Sequence, residues 1–439
     1  MKRLILLLML IVFITSCKQS NYTVFTSDPS IYSKTVKELN NIVLENNFPP
    51  MIAARNYVYA NIAAYECVVA GDSKWNSLSG QVQDLKSMPK PSTEAKIDFS
   101  LASLLAFVKV GNAVTFPDGS MMSYYDLLIH EADSMGISSK MLNDTKDFAD
   151  QISNAILNWS KGDNYAKTRG ASRFNVDQTE GRWVPTPPMY ATALEPHWME
   201  IRPLVLDSAS QFMAPRPPGF DVRNKNSEYY KAMMEVKNTV EQLTDEQKHI
   251  ADFWDDNPFK MNVTGHVMFA TKKFSPAGHW MNIVGIGAQH AKADFNTTIA
   301  AYAETSIALF DAFIACWDEK YRSNYIRPET AINKYVDTDW QPYIQTPPFP
   351  SYTSGHSTIS AASAEVMTAF FGEQHFTDTS LLEFGIANRE IKSFREAAQE
   401  ASISRLFGGI HYRFDLDEGN KVGKKIGEHV VGKLQLKKK

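Results

Sequence analysis

The chain has 439 residues and a formal net charge of −4, which gives room for one large domain or two ordinary ones with a sizeable core. Apart from a short Lys437-Lys438-Lys439 tail, its basic residues form no long tract, which argues against a nucleic-acid partner. Aromatic residues at 12% argue against disorder, and three cysteines are too few for a disulfide framework.

Met1-Lys2-Arg3 is a basic start, and Leu4 to Ile14 is an apolar run too short for a typical membrane span. The following Ile14-Thr15-Ser16-Cys17 resembles a bacterial lipobox, in which cleavage precedes the cysteine and its sulfur is lipidated. Residues 1–16 are then a lipoprotein signal peptide. The mature chain is expected at the bacterial cell envelope, held by a lipid anchor and facing the periplasm or the cell surface. The alternative is a plain secretory signal with a chance cysteine. No later segment offers some twenty uncharged apolar residues, since the most apolar, Thr298 to Trp317, contains Glu304 and Asp311.

Residues 17–226 read as an N-terminal helical region. Helix is expected from Ser30 to Gly71 with one break at Asn46-Asn47-Phe48-Pro49-Pro50, then over Ser92–Val114, Tyr124–Ser134 and Ser138–Ser160. Tyr57, Tyr59 and Tyr65 fall in a stretch with apolar residues at three- and four-residue spacing and read as packing. Within 162–226 the composition changes: eight of the 21 prolines lie between Pro185 and Pro218, too dense for a continuous helix or a central strand. Trp183, Tyr190, Trp198 and Phe212 are costly to leave in a solvated tether, so this segment is expected to wrap over the core in an ordered way.

Residues 227–439 read as the catalytic helical core. Helix returns at Ser227–Leu243, and Thr244-Asp-Glu-Gln247 has the capping-box pattern for another reaching Trp254. Asp255 and Asp256 then support two readings, an acid that pins an active-site arginine or a solvated helix end. Ser275-Pro276 starts a helix in which His279 reads as structural. Gly285-Ile-Gly287 lacks the third glycine and preceding strand of a dinucleotide loop. One long helix is expected from Asp294 to Arg327, and others from Ser354 to Phe371, Ser380 to Arg405 and Asp417 to Leu434. Alternating β-branched runs are too short to suggest a sheet. The fold class is therefore all-α, helical bundles with an anion pocket between helix ends.

Three stretches carry the chemistry. In Lys320-Tyr-Arg-Ser-Asn-Tyr-Ile-Arg327-Pro328 the seven-residue spacing is close to two helical turns and would put both cations on one face. Phe349-Pro-Ser-Tyr-Thr-Ser354-Gly355-His356 brings a hydroxyl, an unobstructed backbone N–H and an imidazole to a helix start, which is an anion-binding arrangement with an acid/base beside it. In Ser404-Arg405-Leu-Phe-Gly408-Gly409-Ile-His411-Tyr-Arg-Phe-Asp415 the glycine pair stops a helix and lets His411 turn back toward Arg405. If helix resumes, Asp415 holds one imidazole nitrogen while the other stays free.

Taken in order, these segments are similar to the vanadium haloperoxidase and type 2 phosphatidic acid phosphatase superfamily, most closely over 250–420. Trp183-Val-Pro-Thr-Pro-Pro is similar to a segment of related bacterial haloperoxidases. The resemblance implies that Lys320, Arg327, Ser354, Gly355, His356, Arg405 and His411 surround a vanadate or phosphate oxyanion. Catalysis would rest on His356 as acid/base, on His411 as the covalent ligand of vanadium or phosphorus, and on Lys320 and Asp415. Trp317 and Phe349 would wall the pocket.

The resemblance supports two activities. One is oxidation of iodide or bromide by hydrogen peroxide with vanadate as cofactor. The alternative is hydrolysis of a phosphate monoester through a phosphohistidine, with no cofactor. His411-Tyr-Arg413-Phe414-Asp415 and the approach to Ser-Gly-His resemble the haloperoxidase form, although Thr353 stands where proline is usual. A third class, a surface lipoprotein that only binds phosphate-like anions, would leave His356 idle.

Overall fold

The structure of this protein is a computed structural model that describes residues 21–258, 260–264 and 267–438. The lipidation site expected at Cys17 and the signal peptide 1–16 lie outside the described residues. Helix accounts for 57% of the structure and strand for 3%, so the architecture is all-α.

The N-terminal helices are α1 (Tyr22–Thr26), α2 (Pro29–Glu45), α3 (Pro50–Gly71), α4 (Phe99–Val114), α5 (Met122–Ser134), α6 (Ser139–Ser160) and α7 (Tyr165–Arg169). Proline at the first helical position and Asp28 or Ser138 at the caps explain several of these starts. The expected start at Ser92 is corrected to Phe99, because Asp98 caps that helix by accepting from the Leu101 N–H. α8 (Glu228–Glu241) and α9 (Asp245–Phe253) follow, the second with the Thr244–Gln247 capping box formed as expected.

α10 (Pro276–His290) leads to α11 (Phe295–Ser323), whose most apolar 18-residue window is wholly buried in the fold although its length and composition would suit a membrane. It packs against both α3 and α13 (Gly355–Phe371), tying the N-terminal helices to the later bundle. The single helix expected from Asp294 to Arg327 is corrected: it ends at Ser323, Asn324 turns left-handed at φ 46°, and Arg327 caps α12 (Pro328–Tyr335). Asparagine tolerates that conformation, and a residue before proline is pushed out of the helical region. Lys320 and Arg327 therefore do not share a helical face.

The helix expected from Ser380 is also corrected. Phe376–Asp378 pairs with Arg389–Ile391 as a short hairpin, a 3₁₀ turn lies between them, and α14 (Phe394–Phe407) begins only after the Ser393 cap. A second hairpin, Lys260–Thr264 with Val267–Thr271, adds strand where none was expected. The last helix, α15 (Arg413–Lys433), begins before the expected Asp417.

α13 and α15 lie unusually close. Gly419, Gly423 and Gly427 face Ser357, Thr358 and Ala362, and a Cβ at Gly423 would sit 2.0 Å from the Thr358 carbonyl oxygen. This contact sets the N-terminal ends of the two helices side by side. The proline-rich segment wraps as expected: Trp183 and Trp198 are buried, although Tyr190 is exposed. Its Leu204, Val205 and Leu206 N–H groups donate to the Asp311 carboxylate at 2.7–2.9 Å. Those amides satisfy one of the buried carboxylates of α11.

Candidate active site

The ends of α11, α12, α13, α14 and α15 meet at a cavity of about 60 Å³ lined by Trp317, Phe349, Gly355, His356, Arg405 and His411. Lys320, Arg327 and Ser354 are fully buried behind that lining. All the residues expected to form an anion site are thus brought together.

The glycine pair works as expected. α14 stops at Phe407, Gly409 takes φ +77°, and the Ile410 N–H returns to the Arg405 carbonyl at 3.2 Å. His411 is then 3% exposed. Because α15 resumes at Arg413, Asp415 lies one turn beyond it, and His411 Nδ1 donates to Asp415 Oδ2 at 2.8 Å. Arg327 Nη1, which can only donate, reaches His411 Nε2 at 3.1 Å. Nδ1 therefore carries the proton, and Nε2 keeps its lone pair, which accepts from Arg327. Burial, reinforced by the charges of Arg327, Lys320 and Arg405, holds the His411 pKa well below the ordinary histidine value. Asp415 is positioned in turn by Ser351 Oγ at 2.5 Å and the Tyr412 N–H at 3.2 Å.

Both guanidiniums are anchored by backbone and keep a buried N–H to spare. Arg327 donates to the carbonyls of Phe349 and Ile410 at 2.8 Å each, and its Nη2 has no partner among the described residues. Arg405 donates to the carbonyls of Trp254 and Asp255, and its Nε has no partner among the described residues. Burial lowers the pKa of both, and the charge of Arg405 adds to the effect on Arg327. Arginine stays protonated regardless, so the strain is relieved by an anion rather than by proton loss.

Lys320 differs from the expectation of a free anion ligand. Its Nζ donates to the carbonyls of Pro350, Ser351 and Thr353 at 2.9, 2.9 and 2.5 Å, which uses all three N–H groups. Burial, with the Arg327 charge adding to it, shifts its pKa downward. Phe349 lies between the two cations, its ring centre 5.0 Å from Lys320 Nζ and 5.0 Å from the Arg327 guanidinium carbon. Trp317 stands 5.0 Å from Phe349 and donates to the Leu194 carbonyl of the wrapping segment at 3.2 Å.

Ser354 is the N-cap of α13, its Oγ accepting from the Ser357 N–H at 3.2 Å, and Gly355 and His356 open the helix. Their N–H groups precede the first intrahelical bonds and are available to an anion. His356 Nε2 lies 3.3 Å from Arg405 Nη1 and 3.7 Å from Asp256 Oδ2. Burial and Arg405 bring its pKa down to about 4, against the pull of Asp256.

The acidic pair resolves differently from either reading. Neither carboxylate pins an arginine: Asp255 pairs with Lys273 at 3.4 Å, and the backbone carbonyls hold Arg405. Nor is the pair a solvated helix end, since both are at most 2% exposed. Ser351 and Asp378 were not foreseen. Ser351 stood inside a motif of interest, whereas nothing local in the sequence marks Asp378.

A family model described as the VCPO second helical-bundle domain matches residues 300–437. No curated protein matches. Among solved structures, a bacterial vanadium-dependent iodoperoxidase is similar with a TM-score of 0.88 and 40% identity, over 94% of this chain and 98% of that one. The holo form of a bacterial vanadium-dependent chloroperoxidase aligns with a TM-score of 0.66 and 16% identity, over 88% of this chain and 92% of that one. Its apo form gives the same score and identity, covering 88% and 95%. At that identity the chloroperoxidase likeness is one of fold, whereas the iodoperoxidase likeness extends over sequence and structure together. The chain belongs to the vanadium-dependent haloperoxidase family.

Proposed function

We propose that this enzyme holds vanadate at His411 and oxidises halide, iodide foremost, with hydrogen peroxide. The observation that carries the reading is His411 itself: Nδ1 is tied to Asp415 at 2.8 Å, and the Nε2 lone pair faces a guanidinium with an unpartnered buried N–H. A neutral, oriented imidazole is a metal ligand, and two crowded arginines require a multiply charged anion. The donor set therefore fits vanadate: Nε2 of His411 for the metal, and Arg327 Nη2, Arg405 Nε and the Gly355 and His356 N–H groups for its oxygens. When bound, vanadate supplies a Lewis-acidic centre that activates peroxide.

The chain's own groups do the rest. Asp415 keeps the proton on Nδ1 and so keeps Nε2 available. A proton taken up at His356 Nε2 turns that nitrogen from an acceptor facing Arg405 into a donor toward the Asp256 carboxylate. Lys320, held by three carbonyls, contributes charge from behind Phe349. Trp317 and Phe349 exclude water and admit a weakly hydrated anion, and iodide sheds its shell most readily.

Phosphate monoester hydrolysis is the outcome of the same test that would displace this reading. Outside its anion floor the cavity is lined by Pro50, Leu194, Pro258, Pro276, Pro347 and Pro348 together with Asp255, Asp256, Asn257 and Gln345, and no lysine or arginine besides Arg405 is among its described lining residues. Protein purified without its first sixteen residues and loaded with orthovanadate should bind vanadium at about one per chain and form triiodide from iodide and peroxide. Confirmed loading with no halide oxidation, alongside vanadate-inhibited phosphate release from a monoester, would overturn it.

We further propose a lipid anchor at Cys17, supported by the basic start, the apolar run and Ile-Thr-Ser-Cys. The Cys17→Ala variant should leave the membrane fraction or stay unprocessed. A wild-type chain that is already soluble with a different mature N-terminus would refute the anchor.

A further inference from the structure

His279 lies outside the anion site, yet it is fully enclosed close to it, with no exposure. Its Nδ1 meets both oxygens of Asp256 at 3.0 and 3.1 Å, and its Nε2 meets Asp378 Oδ2 at 3.1 Å. Two carboxylates on one ring need both nitrogens to donate, so the ring is an imidazolium. Trp254 stacks on it at 4.6 Å and 22°, and the Trp254 carbonyl is one of the acceptors of Arg405. Asp256 occupies the left-handed region at φ 42°, which aspartate tolerates better than most residues. Asp378 is anchored by the Ser380 N–H at 2.9 Å on the short hairpin. Asp256 Oδ2, one of the two oxygens that His279 Nδ1 meets, stands 3.7 Å from His356 Nε2.

We propose that His279 is a positioning residue for the acid/base step: clamped by Asp378, it fixes the Asp256 carboxylate, and through it the ring of His356. The inference rests on His356 being the acid/base group. It gives His279 a task in turnover in place of a purely structural one. Removing the Nδ1 bond would leave the buried Asp256 carboxylate without its donor, and it would turn away or take up a proton. Either change leaves His356 without its counter-charge, while the donors around vanadate stay in place.

Asparagine and glutamine separate the two ring bonds. The shorter amide of asparagine reaches only the Nδ1 position facing Asp256, and the longer amide of glutamine only the Nε2 position facing Asp378. His279→Gln should lower kcat for iodide oxidation about 10- to 100-fold, and His279→Asn by only about 3-fold, a split set by the orienting contact. Vanadium content should remain near one per chain in both. A second readout needs neither vanadate nor turnover: carbethoxylation of His356 by diethylpyrocarbonate, followed by peptide mass spectrometry, should speed up at least about 3-fold in the glutamine variant alone. Equal kcat and equal His356 reactivity in the two variants would overturn the proposal. If circular dichroism shows either variant unfolded, Asp378→Asn replaces it, and wild-type kcat and reactivity there overturn the proposal equally. A wild-type enzyme that binds vanadate without oxidising iodide refutes the functional reading instead, and the labelling contrast then still decides the role of His279.

Discussion

His411 and His356 lie in one cavity, yet their partners assign them opposite tasks. His411 is fixed from behind by Asp415 and presents a lone pair, whereas His356 is opposed by Arg405 and backed by Asp256. His411→Ala should therefore abolish vanadate binding in equilibrium dialysis. His356→Ala should keep binding within a few-fold and lose turnover by roughly 100- to 10,000-fold, the range of a removed acid/base group. Equal loss of vanadate affinity in both would contradict the division. His279 carries a pH signature of its own. Burial alone would lower its pKa, but Asp256 and Asp378, the two charged groups bonded to its ring, outweigh that and raise it to about 10. Because the folded value is the higher one, its stabilisation is complete below the unfolded value of about 6.5 and is lost as pH rises through about 10. Asp256 is depressed in turn: burial opposes ionisation, but the His279 charge prevails, so its contribution fades at acid pH. Melting temperature should accordingly fall between pH 7 and 10.5, and His279→Asn should flatten that decline.

Among the elements, the approach of α13 and α15 matters most, because it sets Ser354-Gly355-His356 beside His411 and Asp415. The Ser354 N–H donates to the Asp415 carbonyl at 3.0 Å, a direct tie between the two helix ends. At Gly423 a methyl group would sit 2.0 Å from the Thr358 carbonyl oxygen, and that backbone cannot yield without separating the helices. Gly423→Ala should cost at least about 1–3 kcal/mol in denaturant unfolding, the range for overpacking, and weaken vanadate binding although it touches no ligand. Wild-type affinity in a destabilised variant would break the link between this packing and the site. The helix start at Ser275-Pro276 was legible, because a serine cap and an N1 proline coincide there. The stop after Ser323 was not, since only the left-handed turn of Asn324 divides what periodicity joined.

For the whole molecule, the wrapping segment closes the cavity from outside: the Leu194 carbonyl accepts from both Trp317 Nε1 and Tyr321 Oη. An aromatic wall braced in this way favours soft anions. Initial rates with the loaded enzyme should run iodide above bromide, with chloride poor or inactive, and phosphate should compete with vanadate for Arg327 and Arg405. Chloride oxidation at the iodide rate would contradict this account of the wall. The sequence by itself determined the all-α class, the chemistry-bearing residues and the turn at Gly408-Gly409, because caps, prolines and glycines act over a few residues and cations in such density imply an anion. Only the tertiary structure decided that Lys320 spends its donors on three carbonyls, that Arg405 is held by backbone rather than by Asp255 or Asp256, and that Asp378 joins His279 across 99 positions. Partners of that kind are chosen by how buried charges find counter-charges once the helices have packed, and no local pattern records the choice.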